Sequence, residues 1–114
     1  MQLITAVIQP QKLEDVKTAL KGLGVSGMTI APVSGVGRQS GHTESYRGAA
    51  ITVETVPKVR LDILATDEDV EWIINEIVAA ARTGHIGDGK IWVVPATQVI
   101  RVSTGERGER AIRA

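Results

Sequence analysis

The chain contains no cysteine and no phenylalanine, and aromatic residues make up 3% of it. Without cysteine there is no disulfide, no thiolate nucleophile and no cysteine metal site. The scarcity of aromatics excludes a platform of stacked rings for single-stranded nucleic acid. Charge of one sign is also missing: 13 Lys and Arg face 13 Asp and Glu, for a formal net charge of zero. A nucleic-acid or membrane-surface role driven by bulk electrostatics needs a cationic excess, so any anion site here must be local. No apolar run reaches the ~18 residues of a membrane span. Residues 1–10 lack the basic and apolar blocks of an export signal, so the cytoplasm is the expected compartment. What is present is 114 residues, 43% of them apolar. A chain of this length buries roughly two-thirds of its unfolded surface, enough for one core without staples. We therefore expect one domain over residues 1–114.

Periodicity gives the expected elements. Residues 3–8 form an apolar, β-branched run closed by Pro10, which reads as a largely buried strand. Leu13, Val16, Leu20 and Leu23 share one helical stripe, with Gly22 and Gly24 as the stop. A second strand over 28–33 contains Pro32, which cannot donate to a ladder and so belongs at a sheet edge. A third strand over 59–64 leads to Thr66-Asp67-Glu68-Asp69, which has the form of a capping box. Val70, Ile73, Ile74, Ile77, Val78 and Ala81 stripe the next helix, with Arg82 and Gly84 read as its last-turn cation and left-handed stop. Trp72 lies about 200° from Val70 on the helical wheel, off that stripe, so it reads as a surface side chain or a partner contact. Residues 91–94 and 99–102 read as two further short strands, and the polar stretch from 104 to 114 reads as a flexible tail. Strand, helix, strand, twice over, is most economically an α+β, ferredoxin-like βαββαβ sandwich with both helices on one face of an antiparallel sheet. Its other face is left uncovered, which predicts a homo-oligomer.

One connection does not fit a compact fold. About 18 residues, 37–54, separate two antiparallel strands, and loops beyond about 12–15 residues are usually functional or disordered. This one carries Arg38, Gln39, His42, Thr43, Glu44, Ser45, Tyr46 and Arg47. Alternatively, residues 49–53 extend the following strand and the loop is a long hairpin.

Two glycine-rich segments carry the candidate chemistry. Gly84-His85-Ile86-Gly87-Asp88-Gly89-Lys90 matches most of the phosphate-loop pattern, but Ile91 stands where Ser or Thr is required. It also follows a helix and opens a strand, the reverse of a nucleotide-hydrolase phosphate loop. What survives is a loop, about residues 82–90, whose backbone N–H groups can converge on an anion beside the Lys90 charge, against the alternative of a plain glycine-rich turn. Gly35-Val36-Gly37-Arg38-Gln39 is the second segment. With Lys58 and Arg101, and with no clustered carboxylate pair, the two point to binding of a polyanion rather than reaction on one. His42 and His85 sit in unrelated contexts and read as solvated loop residues, not metal ligands.

Four motifs in order carry a resemblance over nearly the whole chain: GVGRQSGHTESYRGA from Gly35, PKV from Pro57, ARTGHIGDGKI from Ala81 and VIRVSTGERG from Val99. Together they resemble the PII nitrogen-regulatory signal proteins. The resemblance implies a homotrimer with a nucleotide cleft between neighbours and a long target-binding T-loop, here about residues 37–54. It implies competing ATP and ADP, and 2-oxoglutarate bound with Mg-ATP at the base of that loop. Gly87, Asp88, Gly89 and Lys90 would hold the phosphates, with Gly35, Gly37 and Arg38 closing the cleft. Thr29 and Leu64 would flank the adenine, and Arg101 would reach in across the trimer interface. Gln39 would meet the Mg ion and 2-oxoglutarate, with Gly87 beside that acid and Lys58 on its distal carboxylate. Tyr46, Arg47 and Ile51 would belong to the target-binding surface, for an ammonium transporter or a nitrogen-metabolism enzyme or regulator. Such a protein is a regulator rather than an enzyme, binds no nucleic acid, and reaches a membrane only through a transporter.

Departures from the family pattern qualify this. Ile51 stands where many members carry a tyrosine that is nucleotidylylated, and Ala49 where some carry a phosphorylated serine, so neither switch is expected. Ser103 stands where an arginine usually contacts the phosphates. Losing one charge-assisted contact costs roughly 1.5–3 kcal/mol, on the order of 10- to 100-fold in affinity. Two alternatives remain: a divergent nucleotide sensor with another effector, and a slow nucleotide hydrolase in which Asp62 or Asp88 polarises water.

Overall fold

The computed structural model describes residues 1–25, 27–37 and 54–113. Four strands, β1 (Gln2–Ile8), β2 (Thr29–Gly35), β3 (Val56–Ala65) and β4 (Gly89–Pro95), form one antiparallel sheet in the order β2-β3-β1-β4. Helices α1 (Leu13–Gly22) and α2 (Val70–Ala81) connect β1 to β2 and β3 to β4. This is the expected α+β, ferredoxin-like arrangement, with β2 at an edge.

Alternation decides which face is buried. Ile4, Ala6 and Ile8 of β1 and Val59, Leu61, Ile63 and Ala65 of β3 point to the helical side, where they meet Val16 and Leu20 of α1 and Ile73, Ile77 and Ala81 of α2. Leu3, Thr5 and Val7, one residue out of phase, face the opposite side. There the register aligns Thr29, Asp62, Thr5 and Trp92 in one row across the sheet, and Leu64, Leu3 and Val94 in the next. Leu64, Trp92 and Val94 stay more than two-fifths exposed, so this open face carries exposed apolar side chains beside polar ones such as Arg60 and Asp62.

The three prolines of the sheet sit where a missing N–H is tolerated, Pro95 as the last residue of edge strand β4. Pro32 is on the other edge strand, β2. Pro57 lies in β3 beyond Val59, the last β3 residue paired with β1, so there β3 has β2 as its only ladder partner. Helix α1 closes with a Schellman motif. Gly24, at φ +87°, donates to Lys21, and the Val25 N–H reaches back to the Leu20 carbonyl.

Several expectations are corrected. Thr66 does not cap α2: its hydroxyl is buried without a partner, its carbonyl accepts from the Asp69 N–H, and the helix starts one turn later. Gly84, at φ +88°, is not the helix stop, because Arg82 is already extended and Gly84 belongs to the next loop. Residues 99–102 are not a strand. Ile100 makes a single bridge to Arg107, and the chain turns at once, with Gly105 donating to Arg101. The stretch after 104 has structure of its own among the described residues. It ends in a short helix, α3 (Glu109–Ile112), folded back on Arg101.

Candidate functional site

The candidate residues fall at two ends of the sheet. At the first, β2 and β3 close at the pair Gly35 and Val56, and the 82–89 loop enters β4 beside the end of β1. Lys58 ties these together. It is 8% exposed, and its ammonium donates to the Gly87 carbonyl at 2.5 Å, joining the base of the 37–54 loop to the glycine-rich loop. Gly35 makes room for it, since a Cβ there would lie 3.3 Å from the Lys58 Cγ.

The glycine-rich loop is organised from within by Asp88. One carboxylate oxygen accepts from the N–H groups of Thr83 and Gly84, at 2.7 and 2.9 Å, and the other from the Thr83 hydroxyl at 2.5 Å. The Thr83 hydroxyl and N–H, then the Gly84 N–H and the nearby His85, hold the Asp88 carboxyl down to about 2. Gly89 has a packing reason of its own: at φ +115°, a Cβ would fall 1.8 Å from the Val7 carbonyl oxygen. Gly87 is left-handed at φ +99°, and Lys90 is exposed opposite Val7. Gly37 is exposed at the entrance to the long loop, with nothing among the described residues within 4 Å of a Cβ there. Arg38, Gln39, Tyr46, Arg47, Ala49 and Ile51 lie outside the described residues, as does the strand extension over 49–53.

At the second end, Thr29 pairs with Asp62 and Leu64 with Leu3. Thr29, Asp62 and Leu64 line a cavity of about 850 Å³ that also meets Met28, Trp72 and Ile112. Asp62 is pinned, accepting from the Thr5 hydroxyl at 2.7 Å and from Arg60 Nε at 3.0 Å. Arg101 is engaged by the chain's own C-terminal segment. Its Nη2 donates to the carbonyls of Arg110, Ala111 and Arg113, at 2.8, 3.4 and 3.0 Å, and its Nη1 lies 3.5 Å from Glu106.

Lys58 and Leu64 are six residues apart on one strand, or roughly 20 Å at the usual rise. One chain thus unites Gly35, Lys58, Gly87, Asp88, Gly89 and Lys90 at one end and keeps Thr29 and Leu64 at the other. Sequence reasoning missed Thr83 as the partner of Asp88 and the tail as the partner of Arg101. It also missed the place of Trp72 in the cavity wall, although the position of Trp72 off the apolar stripe was a signal. Among the described residues no group of three His, Cys, Asp or Glu side chains is placed to hold a metal ion, and no helix is long and apolar enough to cross a membrane.

Comparison with known proteins gives one consistent result. Residues 1–106 match the family model of the nitrogen regulatory protein P-II. The chain is 50% identical to the nitrogen regulatory protein P-II of Cereibacter sphaeroides over 112 residues, covering 98% of this chain and all of that one. It is 47% identical to the nitrogen regulatory protein P-II 2 of Methanothermobacter thermautotrophicus, covering 98% and 97%. Among solved structures, Arabidopsis thaliana PII bound to citrate superposes with a TM-score of 0.80 at 38% identity, over 97% of this chain and 88% of that one.

Proposed function

The chain belongs to the P-II family of nitrogen regulatory proteins, and from that premise we propose that it binds ATP or ADP and, together with Mg-ATP, 2-oxoglutarate, and that these ligands set the state of the 37–54 loop that engages target proteins. The targets are an ammonium transporter or a nitrogen-metabolism enzyme or regulator, met in the cytoplasm or at a membrane through the transporter. With Ile51 and Ala49 at the usual modification positions, the response is to metabolites directly and not through tyrosine nucleotidylylation.

The observation that carries this reading is the Lys58 ammonium on the Gly87 carbonyl. It puts a buried cation between the base of the long loop and the glycine-rich loop, where a ligand carboxylate taken by Lys58 would be felt by both. The carboxylate ligand of the Arabidopsis relative accords with an acid effector. In this reading Gly35, Gly37, Arg38 and the 87–90 backbone take the phosphates, and Thr29 and Leu64 the adenine. Asp88 serves by holding the loop in shape, since both of its oxygens are engaged. A triphosphate and a dicarboxylate repel, so they share one site only with a divalent cation and fixed N–H dipoles between them. In this reading the cation arrives on the nucleotide and meets Gln39. A hydrolase reading is disfavoured by the same geometry: Asp62 and Asp88 are each satisfied by internal donors rather than poised on a water.

The separation of the two residue sets favours a closed homo-oligomer, a trimer by family, in which the adenine side of one chain faces the phosphate side of the next. Calorimetry tests the proposal. 2-Oxoglutarate should bind detectably only with Mg-ATP, and Lys58→Ala should weaken that step about 10- to 100-fold, the worth of one charge-assisted contact. ATP binding with no 2-oxoglutarate response would move the assignment to a nucleotide sensor with another effector.

A further inference from the structure

The C-terminal segment occupies a place that the proposed site requires. Helix α3 has four residues, too few to be stable alone, and its last carbonyls have no partners within the helix. Arg101 supplies those partners, with one amino group shared among the carbonyls of Arg110, Ala111 and Arg113. Ala111, Ile112 and Arg113 in turn form one wall of the cavity lined by Thr29 and Leu64. Arg113 also reaches toward Glu68 and Glu109, at 3.9 Å each. The segment is therefore fastened at three places: to the Arg101 guanidinium, to the cavity wall, and near the start of α2.

We propose that the C-terminal segment, residues 109–113, is an intramolecular latch that competes with a nucleoside polyphosphate for Arg101 and for the cavity beside Thr29 and Leu64, so that nucleotide binding releases it. The inference rests on the nucleotide reading of that end of the sheet. Its physical basis is an exchange of acceptors. Arg101 now holds neutral carbonyls, whereas phosphate oxygens make shorter, charge-assisted and commonly bidentate bonds with a guanidinium. Once Arg101 turns to a phosphate, the carbonyls of α3 lose their donor, and a four-residue helix does not persist without one. Conversely, the latched state withholds Arg101 from the ligand. If the latch is closed in about four-fifths of molecules, the apparent dissociation constant rises about fivefold over that of the open chain.

The test uses the full chain, with Mg-ATP as the probe and two readouts. Ile112→Gln removes an apolar anchor from the cavity wall and leaves Arg101 intact. Calorimetry should show this variant binding Mg-ATP about fivefold more tightly than the wild type. Hydrogen exchange of the amides in 109–113 should accelerate in the wild type on addition of Mg-ATP. It should already be fast in Arg101→Gln without nucleotide. If the variant alone bound Mg-ATP, the latch would be supported in its strongest form. If the wild type bound Mg-ATP while the exchange of 109–113 and the affinity of Ile112→Gln stayed unchanged, the latch would be overturned and the nucleotide reading would stand. If neither protein bound Mg-ATP, the nucleotide reading would fall, and the latch with it.

Discussion

The two ends of the sheet are built in opposite ways. At the Lys58 end the chain is braced by short-range contacts: Asp88 clasps Thr83 and Gly84 across five residues, Gly89 is fitted against Val7, and Lys58 locks the loop from below. At the Thr29 end the chain forms an open cavity of about 850 Å³, one side of which is lined by Ala111, Ile112 and Arg113. One end is preorganised and the other is occupied. Preorganisation lowers the ordering cost of binding, whereas occupation raises the ligand concentration needed and makes the response steerable.

The largest effect should come from the braced end. Gly89→Ala forces a left-handed residue and a Cβ into the Val7 carbonyl, which should destabilise the fold by about 3 kcal/mol or more. Denaturant unfolding checks it, and a loss below about 1 kcal/mol would mean that β1 and β4 can part there without consequence. Next in size, Ser103→Arg should tighten ATP binding on the order of tenfold by restoring a charge-assisted contact. An unchanged dissociation constant would remove Ser103 as the reason for any weakness of nucleotide binding. A smaller effect belongs to acid. The Asp88 carboxyl is depressed to about 2, so the ordering it gives the loop is complete above its ordinary value near 4 and is lost as pH falls toward 2. The amide signals of Thr83 and Gly84, followed by NMR from pH 5 to 2, should move with that midpoint, and a midpoint near 4 would show the clasp to be open in solution. Smallest of all, Trp72→Ala should leave oligomeric mass unchanged, because Trp72 is 65% exposed on α2 and lies on the helix side rather than on the open face. Light scattering that showed dissociation would place an interface on α2.

Much of this was legible in the sequence because it depends on periodicity and on local chemistry. The stripe Ile73, Ile77 and Ala81, the alternation of Ile4, Ala6 and Ile8, and Pro32 at an edge follow from side-chain spacing alone. The clasp of the 84–89 loop was only half legible. Its glycines marked a turn, but nothing in a run of letters shows that the Asp88 carboxylate faces inward to Thr83. The region after Val99 misleads because Val99, Ile100 and Val102 have the β-branched signature of a strand, yet the turn held by Gly105 and Arg101 allows Ile100 one bridge and leaves Val102 99% exposed. The missed α3 illustrates the same limit. It is held by a side chain eight residues upstream of its first residue, a relation with no period.

Lys58 has a consequence for thermal behaviour. Its ammonium donates to a neutral carbonyl, and the residue as a whole is 8% exposed. Burying such a charge costs free energy that an anionic ligand would return. Any acid that docks on Lys58 should therefore raise the melting temperature of the chain, and the rise should grow with the logarithm of ligand concentration above its dissociation constant. A heat ramp over a panel of small carboxylates at one concentration would then rank effectors by their affinity for the folded chain.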